Sequence, residues 1–75
     1  MRTLIEYIAR SLVENPDQVR INQVEGEQSV IFELQVAPED MGKIIGKQGR
    51  IANAMRVLLR AAAAKEGKRA VLEII

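Results

Sequence analysis

Two glycines three positions apart frame a polar pair in the stretch Ile44-Ile45-Gly46-Lys47-Gln48-Gly49-Arg50. Glycine lets the backbone turn sharply and approach a ligand closely. Where a helix begins after such a loop, its first N–H groups lack partners and carry the positive end of the helix dipole. Lys47 and Arg50 add positive charge, and Ile44 and Ile45 add apolar surface. The stretch therefore predicts a site for a phosphate on the loop and a base on the apolar wall, as a single nucleic-acid strand presents them.

Other interpretations of this stretch are weaker. A glycine pair of this spacing also occurs where one glycine ends a helix before an ordinary turn. A P-loop does not fit, because the run from Gly42 to Lys47 is one residue too short and Gln48 stands where Ser or Thr is required. A helix-turn-helix DNA reader also has a turn between two helices. The strands expected before and after the helices make that interpretation less natural.

Charge is distributed unevenly along the chain. The whole chain of 75 residues has a net charge of only +1. Residues 1–40 carry three arginines against eight acidic residues, whereas residues 41–75 carry eight Lys or Arg against two glutamates. The two parts therefore have net charges of −5 and +6. Such asymmetry suggests a polyanion partner, but charge alone is better explained by two solvated surfaces, and it is the glycine stretch that favours a nucleic acid.

Several function classes are excluded or made improbable by the residue types. The chain contains no cysteine and no histidine, which excludes disulfides, Cys/His zinc sites and His-based catalytic triads. We expect no cofactor and no metal. Ser11, Ser29, Thr3 and Tyr7 have no His or Cys to activate them, so an enzyme is not expected. No apolar run is long enough for a membrane span, and no signal peptide precedes the first helix, so we expect a cytoplasmic protein.

Hydrophobic periodicity, proline and glycine divide the chain into α-β-β-α-α-β. The predicted elements are a helix at 2–14, strands at 19–25 and 29–36, a short helix from Pro38 that Gly46 ends, a helix at 49–66 and a strand at 69–75. Within 29–36, Val30, Phe32, Leu34 and Val36 should face one side of the sheet. In the long helix, the buried stripe is expected to be Ile51, Met55, Leu58 and Ala62.

The connections between these elements predict the fold. The short polar link before residue 29 makes the first two strands an antiparallel hairpin. The helices between the last two strands make those strands parallel with a right-handed crossover. We therefore expect residues 1–75 to form one α+β domain of two layers, with a three-stranded mixed sheet and helices on one face.

With its glycine loop between two helices of a β-α-α-β core, the sequence resembles a KH domain. The aliphatic pair Ile44-Ile45 directly precedes the loop, as in that family. The helix and strand before the core resemble the type II, prokaryotic arrangement. Similarity is greatest to the small bacterial single-KH-domain RNA-binding proteins, the KH-domain protein A family, in the stretches 37–43 and 46–54. The general pattern has an aliphatic residue three positions after the second glycine, where this chain has Ala52 and the aliphatic residue is Ile51.

This resemblance implies that the chain binds single-stranded RNA. A KH loop clamps about four nucleotides by their backbone while bases lie in an adjoining apolar groove. The implied backbone contacts are Gly46, Lys47, Gln48 and Gly49, with Lys43 and Arg50 at flanking phosphates. Ile44 and Ile45 are the implied groove wall, and Val36, which is more simply explained as core, is a further candidate. Aromatic stacking has little scope, since Tyr7 and Phe32 are the only rings and neither is near the loop in sequence.

The resemblance also implies partners. Proteins of this kind pair with a larger RNA-binding protein that carries its own KH domain, and together they are similar to RNA chaperones or post-transcriptional regulators. In some bacteria they are linked to cell-envelope homeostasis and cell shape. Self-association as a homodimer is left open, as is the choice between RNA and single-stranded DNA. The alternative function is a protein-interaction adaptor that uses a sheet edge containing Val71, Leu72, Ile74 and Ile75.

Overall fold

Three strands form one mixed sheet in the structure, which is a computed structural model describing residues 1–75. The strands are Arg20–Glu25 (β1), Ser29–Gln35 (β2) and Arg69–Ile74 (β3), in the spatial order β1-β2-β3. β1 pairs antiparallel with β2, and β3 pairs parallel with β2. The hairpin and the parallel crossover predicted from the sequence are both confirmed.

Three α-helices accompany the sheet. They are Arg2–Leu12 (α1), Met41–Ile45 (α2) and Arg50–Ala64 (α3). Short 3-10 turns precede β1, α2 and α3, at Pro16–Gln18, Pro38–Asp40 and Lys47–Gly49. None of the helices has the length and apolar content that crossing a bilayer requires.

All three predicted helices are longer than the helices in the structure. The helix expected at 2–14 ends at Leu12, and Val13 is extended. The next two backbone N–H groups donate to the carboxylate of Asp40 instead of continuing the helical ladder. Pro38 opens a 3-10 turn, and the α-helix proper begins only at Met41. The helix expected at 49–66 is also shorter, because its last residues form a turn around Gly67, which has φ +69°.

The core lies between the sheet and the helices. Val30, Phe32, Leu34 and Val36 are all buried, which confirms the alternation predicted for this segment. Cross-strand partners share a face of the sheet. Because Ile21 pairs with Leu34 and Leu72 pairs with Phe32, the buried residues of all three strands lie on one side. The helices complete the cluster from that side, contributing Ile5, Ala9, Ile44, Ala52, Met55, Leu59 and Ala63.

The buried face of α3 was predicted wrongly. The buried residues are Ala52, Met55, Leu59 and Ala63, and of the expected stripe only Met55 is among them. Leu58 remains 47% exposed, and Ile51 and Ala62 are half-buried. Apolar residues cover more than one face of this helix, so periodicity alone does not single out the core face. The face that packs inward carries two alanines together with Met55 and Leu59.

Candidate nucleic-acid interface

The loop that joins α2 to α3 has an unusual backbone. Gly46 has φ +72° and ψ −178°, and Gly49 has φ +74° and ψ +15°. Gln48 between them also has a positive φ of 58°, the only non-glycine residue in the chain that does. Left-handed backbone in a non-glycine residue is strained and concentrates at functional sites. The side chains of Lys47 and Gln48 are both exposed, so the loop presents them outward.

The side chain of Ile51 packs against the first glycine of this loop. A Cβ atom added at Gly46 would lie 2.8 Å from Cγ1 of Ile51 and 3.0 Å from its Cδ1. At Gly49, by contrast, the nearest such contact is 3.8 Å away, to Asn53. Ile51, expected in the core stripe of α3, is half-buried and packs both against the core and against the first loop glycine. The aliphatic residue that departs from the general pattern therefore holds the loop backbone, while Ala52 takes the buried position.

The first turn of α3 is open to an anion. Its N-cap is Gly49, and no side chain caps the exposed N–H groups there. No acidic residue lies in the first turn. Arg50 is exposed, and neither Lys47 nor Arg50 takes part in any ion pair. Unpaired N–H groups, the positive end of a 15-residue helix and two free cations thus meet at one place.

Of the aliphatic pair before the loop, only one member offers surface. Ile44 is 0% exposed and belongs to the core, whereas Ile45 is 40% exposed. Val36 is also buried in the core. The apolar wall expected from Ile44, Ile45 and Val36 is therefore reduced to Ile45, because the side chain before it points into the domain and supports α2 from within.

Lys43 is engaged in ion pairs with two carboxylates. Its Nζ lies 2.7 Å from Oε1 of Glu14 and 3.9 Å from Oδ1 of Asp40. The resemblance to KH domains implied that Lys43 contacts a flanking phosphate. In the structure it joins α2 to the residues that follow α1 through an ion pair at the surface.

Asp40 has a structural role that its position in the sequence does not predict. It is fully buried, and its carboxylate accepts hydrogen bonds from the backbone N–H groups of Glu14 and Asn15, both at 3.1 Å, and from Nδ2 of Asn15 at 3.0 Å. The N–H of Glu14 is the main cause that lowers the pKa of Asp40, with Asn15 and Lys43 adding to it and burial opposing it. This carboxylate fixes the start of α2 to the segment after α1. The only signal in the sequence was an acidic residue just before a helix, which predicts dipole compensation and not a distant contact.

Further cations line the side of α3 towards β3. Arg56 donates from Nε to the carbonyl of Leu72 at 3.3 Å and from Nη1 to Asn53 at 3.1 Å, so its guanidinium is held against the strand. Arg60 lies with Lys68 and Arg69 around a shallow depression at the beginning of β3. The positive charge of residues 41–75 is thus spread along α3 from the loop to its far end.

Comparison with known proteins agrees with this architecture. A family model described as "KhpA/KhpB, KH domain" matches residues 2–74. The chain belongs to this family of KH domains. It is 64% identical to a protein of Clostridium acetobutylicum, 61% to one of Caldanaerobacter subterraneus subsp. tengcongensis and 60% to one of Clostridium perfringens. Each comparison covers 100% of both chains, and each relative is named RNA-binding protein KhpA. No solved structure matches the chain significantly.

Membership of the KH family agrees with the fold and with the function class expected from the residues. The mixed sheet, the three helices and the loop between the last two are those of a KH domain with an additional helix and strand before its core. KH domains of this family are binding domains and not enzymes, so the chain is not an enzyme. No three His, Cys, Asp or Glu side chains are grouped as they would be to hold a metal ion.

Proposed function

We propose that this KH domain binds single-stranded RNA with the loop Gly46–Gly49 as a clamp on the backbone. The observation that carries the proposal is that a loop with positive φ angles at Gly46, Gln48 and Gly49 leads directly into the uncapped first turn of α3. The N–H groups of that turn have no side-chain cap, and neither Lys47 nor Arg50 is engaged in an ion pair. The RNA-binding names of relatives at 60–64% identity support the same ligand.

The residues of the site take different parts in the proposed clamp. The loop backbone takes its shape from the positive φ angles of Gly46, Gln48 and Gly49, and its N–H groups bind phosphate oxygens. Lys47 and Arg50 pair with the charges, and Ile45 is the surface on which a base rests. Ile44 supports that wall from the core. Lys43 reaches a phosphate only by leaving Glu14, so we assign it to holding α2 in position.

The experiment that tests the clamp is a charge change on the loop. The double variant Lys47→Asp with Gln48→Asp places two carboxylates where phosphates would bind, and both side chains are exposed, so the fold should be retained. We expect RNA affinity, measured by fluorescence anisotropy, to fall at least tenfold, with an unchanged circular dichroism spectrum. The matched control is Lys65→Asp with Gln28→Asp, which makes the same charge change at exposed positions outside the loop. Equal affinity of wild type and loop variant would exclude the loop as the site.

A second RNA-binding protein would raise the affinity of a domain that contacts so few nucleotides. One clamp of about four nucleotides gives modest affinity, and linkage to a second binding module raises it by avidity. We propose that a larger RNA-binding protein with its own KH domain is that module and that the pair acts as an RNA chaperone or post-transcriptional regulator. Val57 and Leu58 support a docking surface for it, since both are exposed on α3. A homodimer is the competing use of that surface, and sedimentation of the purified chain distinguishes the two.

The alternative function is that of an adaptor in which protein binding is primary. The face of the sheet opposite the helices carries a row of Val24, Ile31 and Val71, paired across the three strands. Val24 and Val71 are exposed, and Ile75 is exposed just beyond β3. Of the other residues expected on this edge, Leu72 is buried in the core and Ile74 is half-buried. An adaptor would keep both its protein complex and its cellular role in the loop variant described above. Loss of function in that variant with an intact complex favours the RNA clamp.

A further inference from the structure

All three arginines of residues 1–40 line one groove. Arg2, Arg10 and Arg20 are far apart in the chain, but the groove of ≈ 300 Å³ between α1 and β1 brings them together. Arg2 and Arg10 lie on one ridge of α1, and Arg20 lies at the start of the neighbouring edge strand. Glu6 is the one carboxylate that lines the groove, so its net charge is +2. We call this feature the arginine groove (Arg2, Glu6, Arg10, Arg20 and Asn22).

The guanidinium groups in the groove are only partly satisfied. Arg2 pairs with Glu6 at 3.1 Å. Arg20 donates from Nη1 to the carbonyls of Asp17 at 2.7 Å and Val19 at 3.1 Å, which orients it without neutralising its charge. Arg10 takes part in no ion pair. Two cationic side chains, one of them oriented by the backbone, are therefore available to an anion that enters the groove.

The only accessible aromatic ring of the protein lies beside this groove. Tyr7 is 72% exposed, whereas the other ring, Phe32, is fully buried. A shallow depression on α1 that contains Tyr7 also includes Glu6 and Arg10, and thus adjoins the arginine groove. The ring of Tyr7 is not part of the hydrophobic core cluster. Next to free guanidinium groups it forms a platform that suits a nucleobase whose phosphates lie against the arginines.

From this arrangement we infer that the arginine groove and Tyr7 form a second nucleic-acid contact surface, separate from the glycine loop. Its ligand is a single-stranded phosphodiester backbone with one base stacked on Tyr7. No residue of the loop lines either depression, and β1 lies at the opposite edge of the sheet from β3, against which α3 packs. The inference deepens the proposed RNA-binding function and rests on it.

The composition of the surface favours nucleic acid over an acidic protein. Carboxylates of a peptide would pair with Arg10 and Arg20 but have no use for the tyrosine ring. A nucleotide supplies both an anion and a flat π-system, and stacking on an aromatic ring is tolerant of base identity. One surface with both features thus matches a strand that is bound without strong sequence preference.

The experiment compares a short and a long RNA on two pairs of variants. A tetranucleotide matches the footprint of the loop, whereas a strand of about 12 nucleotides, at about 3.4 Å per nucleotide when stacked, exceeds the 35 Å long axis of the molecule. The test variants are Tyr7→Ala and Arg10→Gln. Their controls are Tyr7→Phe, which keeps the ring, and Lys65→Gln, which makes the same charge change on the exposed surface of the last turn of the helical region.

We expect the long strand to bind Tyr7→Ala about tenfold more weakly than wild type and to bind Tyr7→Phe normally. Arg10→Gln should lower the slope of log K against log salt by about 0.7, the value of one single-strand phosphate contact, whereas Lys65→Gln should not. If the long strand binds all four variants like wild type, or if Lys65→Gln is as damaging as Arg10→Gln, the second surface does not exist. If polyglutamate displaces the long strand as well as RNA of equal charge does, the groove is a site for acidic protein instead and the inference is wrong.

The stoichiometry of tetranucleotide binding shows whether one RNA strand contacts both the loop and the groove or whether each surface binds its own strand. One tetranucleotide per chain, with the long strand sensitive to Tyr7→Ala, means that one strand runs from the loop to the groove. Two tetranucleotides per chain, one of them lost in Tyr7→Ala, means that two strands bind together. If the loop is not an RNA site, the variant Lys47→Asp with Gln48→Asp will bind the tetranucleotide like wild type. Binding of the long strand to the groove variants still tests the groove in that case.

Discussion

Gly46 and Gly49 frame the same loop, but they are required for different physical reasons. At Gly46 both the backbone angles and the space exclude a side chain, since Ile51 fills the position where a Cβ would lie. At Gly49 the space is open, and only the left-handed backbone favours glycine. Gly42, in the short helix α2, has neither constraint, because nothing lies within 4 Å of an added Cβ. Three glycines within eight residues therefore respond differently to the same substitution.

Alanine substitution at Gly46 and Gly42 should shift stability in opposite directions. Gly46→Ala forces a non-glycine residue into a sparsely allowed region and against Ile51, and should lower the free energy of unfolding by about 2 kcal/mol or more. Gly42→Ala adds a better helix former in open space and should raise it by about 0.5–1 kcal/mol. Urea denaturation followed by circular dichroism measures both. Equal effects of the two substitutions would mean that the contact with Ile51 does not constrain the loop.

At the scale of elements, the buried carboxylate of Asp40 couples α1 to α2. It joins the chain just after α1 to the residue just before α2, and Lys43 extends the connection to Glu14. The short helix α2 has five residues and would be unstable alone. Its orientation, and with it the direction in which the loop emerges, therefore depends on contacts from the opposite end of the chain.

Acid should weaken this connection. The pKa of Asp40 is lower in the folded protein than its ordinary value of 3.8, so folding favours the ionised carboxylate. The resulting stabilisation is complete above the unfolded-state pKa and is lost as the pH falls below about 4 through the folded-state pKa. Asp40→Asn should lower the thermal midpoint at pH 7 and flatten the dependence of stability on pH below 4. The control is Asp17→Asn, which removes an exposed carboxylate. A wild-type pH profile in Asp40→Asn would contradict this account.

Across the whole molecule, charge is distributed in a way that the totals for the two parts of the chain do not describe. Residues 41–75 are positive, and the structure spreads these cations from the loop along α3 towards β3. Residues 1–40 are negative in total, yet their three arginines meet at one groove. Glu14, Asp40 and Glu25 are engaged with lysines. The surface thus has two positive regions where the sequence indicates one.

The affinity for RNA should depend strongly on salt. A clamp on about four phosphates of a single strand predicts a slope of roughly −3 in log K against log salt, because bound cations are released from the strand. The loop variant Lys47→Asp with Gln48→Asp should have a flatter slope, while Lys65→Asp with Gln28→Asp should keep the wild-type value. Titration of a tetranucleotide at several salt concentrations gives these slopes. A flat dependence for the wild-type protein would argue that binding does not occur through the backbone.

The sequence by itself determined the order of the elements, the strand pairing and the position of the glycine loop. Each of these depends on local rules: alternation of period two in β2, proline at the first position of turns, and glycine where the backbone must become left-handed. Such rules operate over a few residues, so one sequence is enough to apply them. The hairpin, the parallel crossover and the loop between α2 and α3 all follow in this way.

Only the tertiary structure decided which residues meet across long distances in the chain. Asp40 contacts residues 25 and 26 positions earlier, and Arg20 joins Arg2 and Arg10 at one groove. Burial of Leu59 and exposure of Leu58 likewise depend on how closely α3 packs on the sheet. The hydrophobic periodicity of a helix does not predict such contacts. Two adjacent apolar residues such as Leu58 and Leu59 fit the same pattern, and the residues that bury one of them belong to another element.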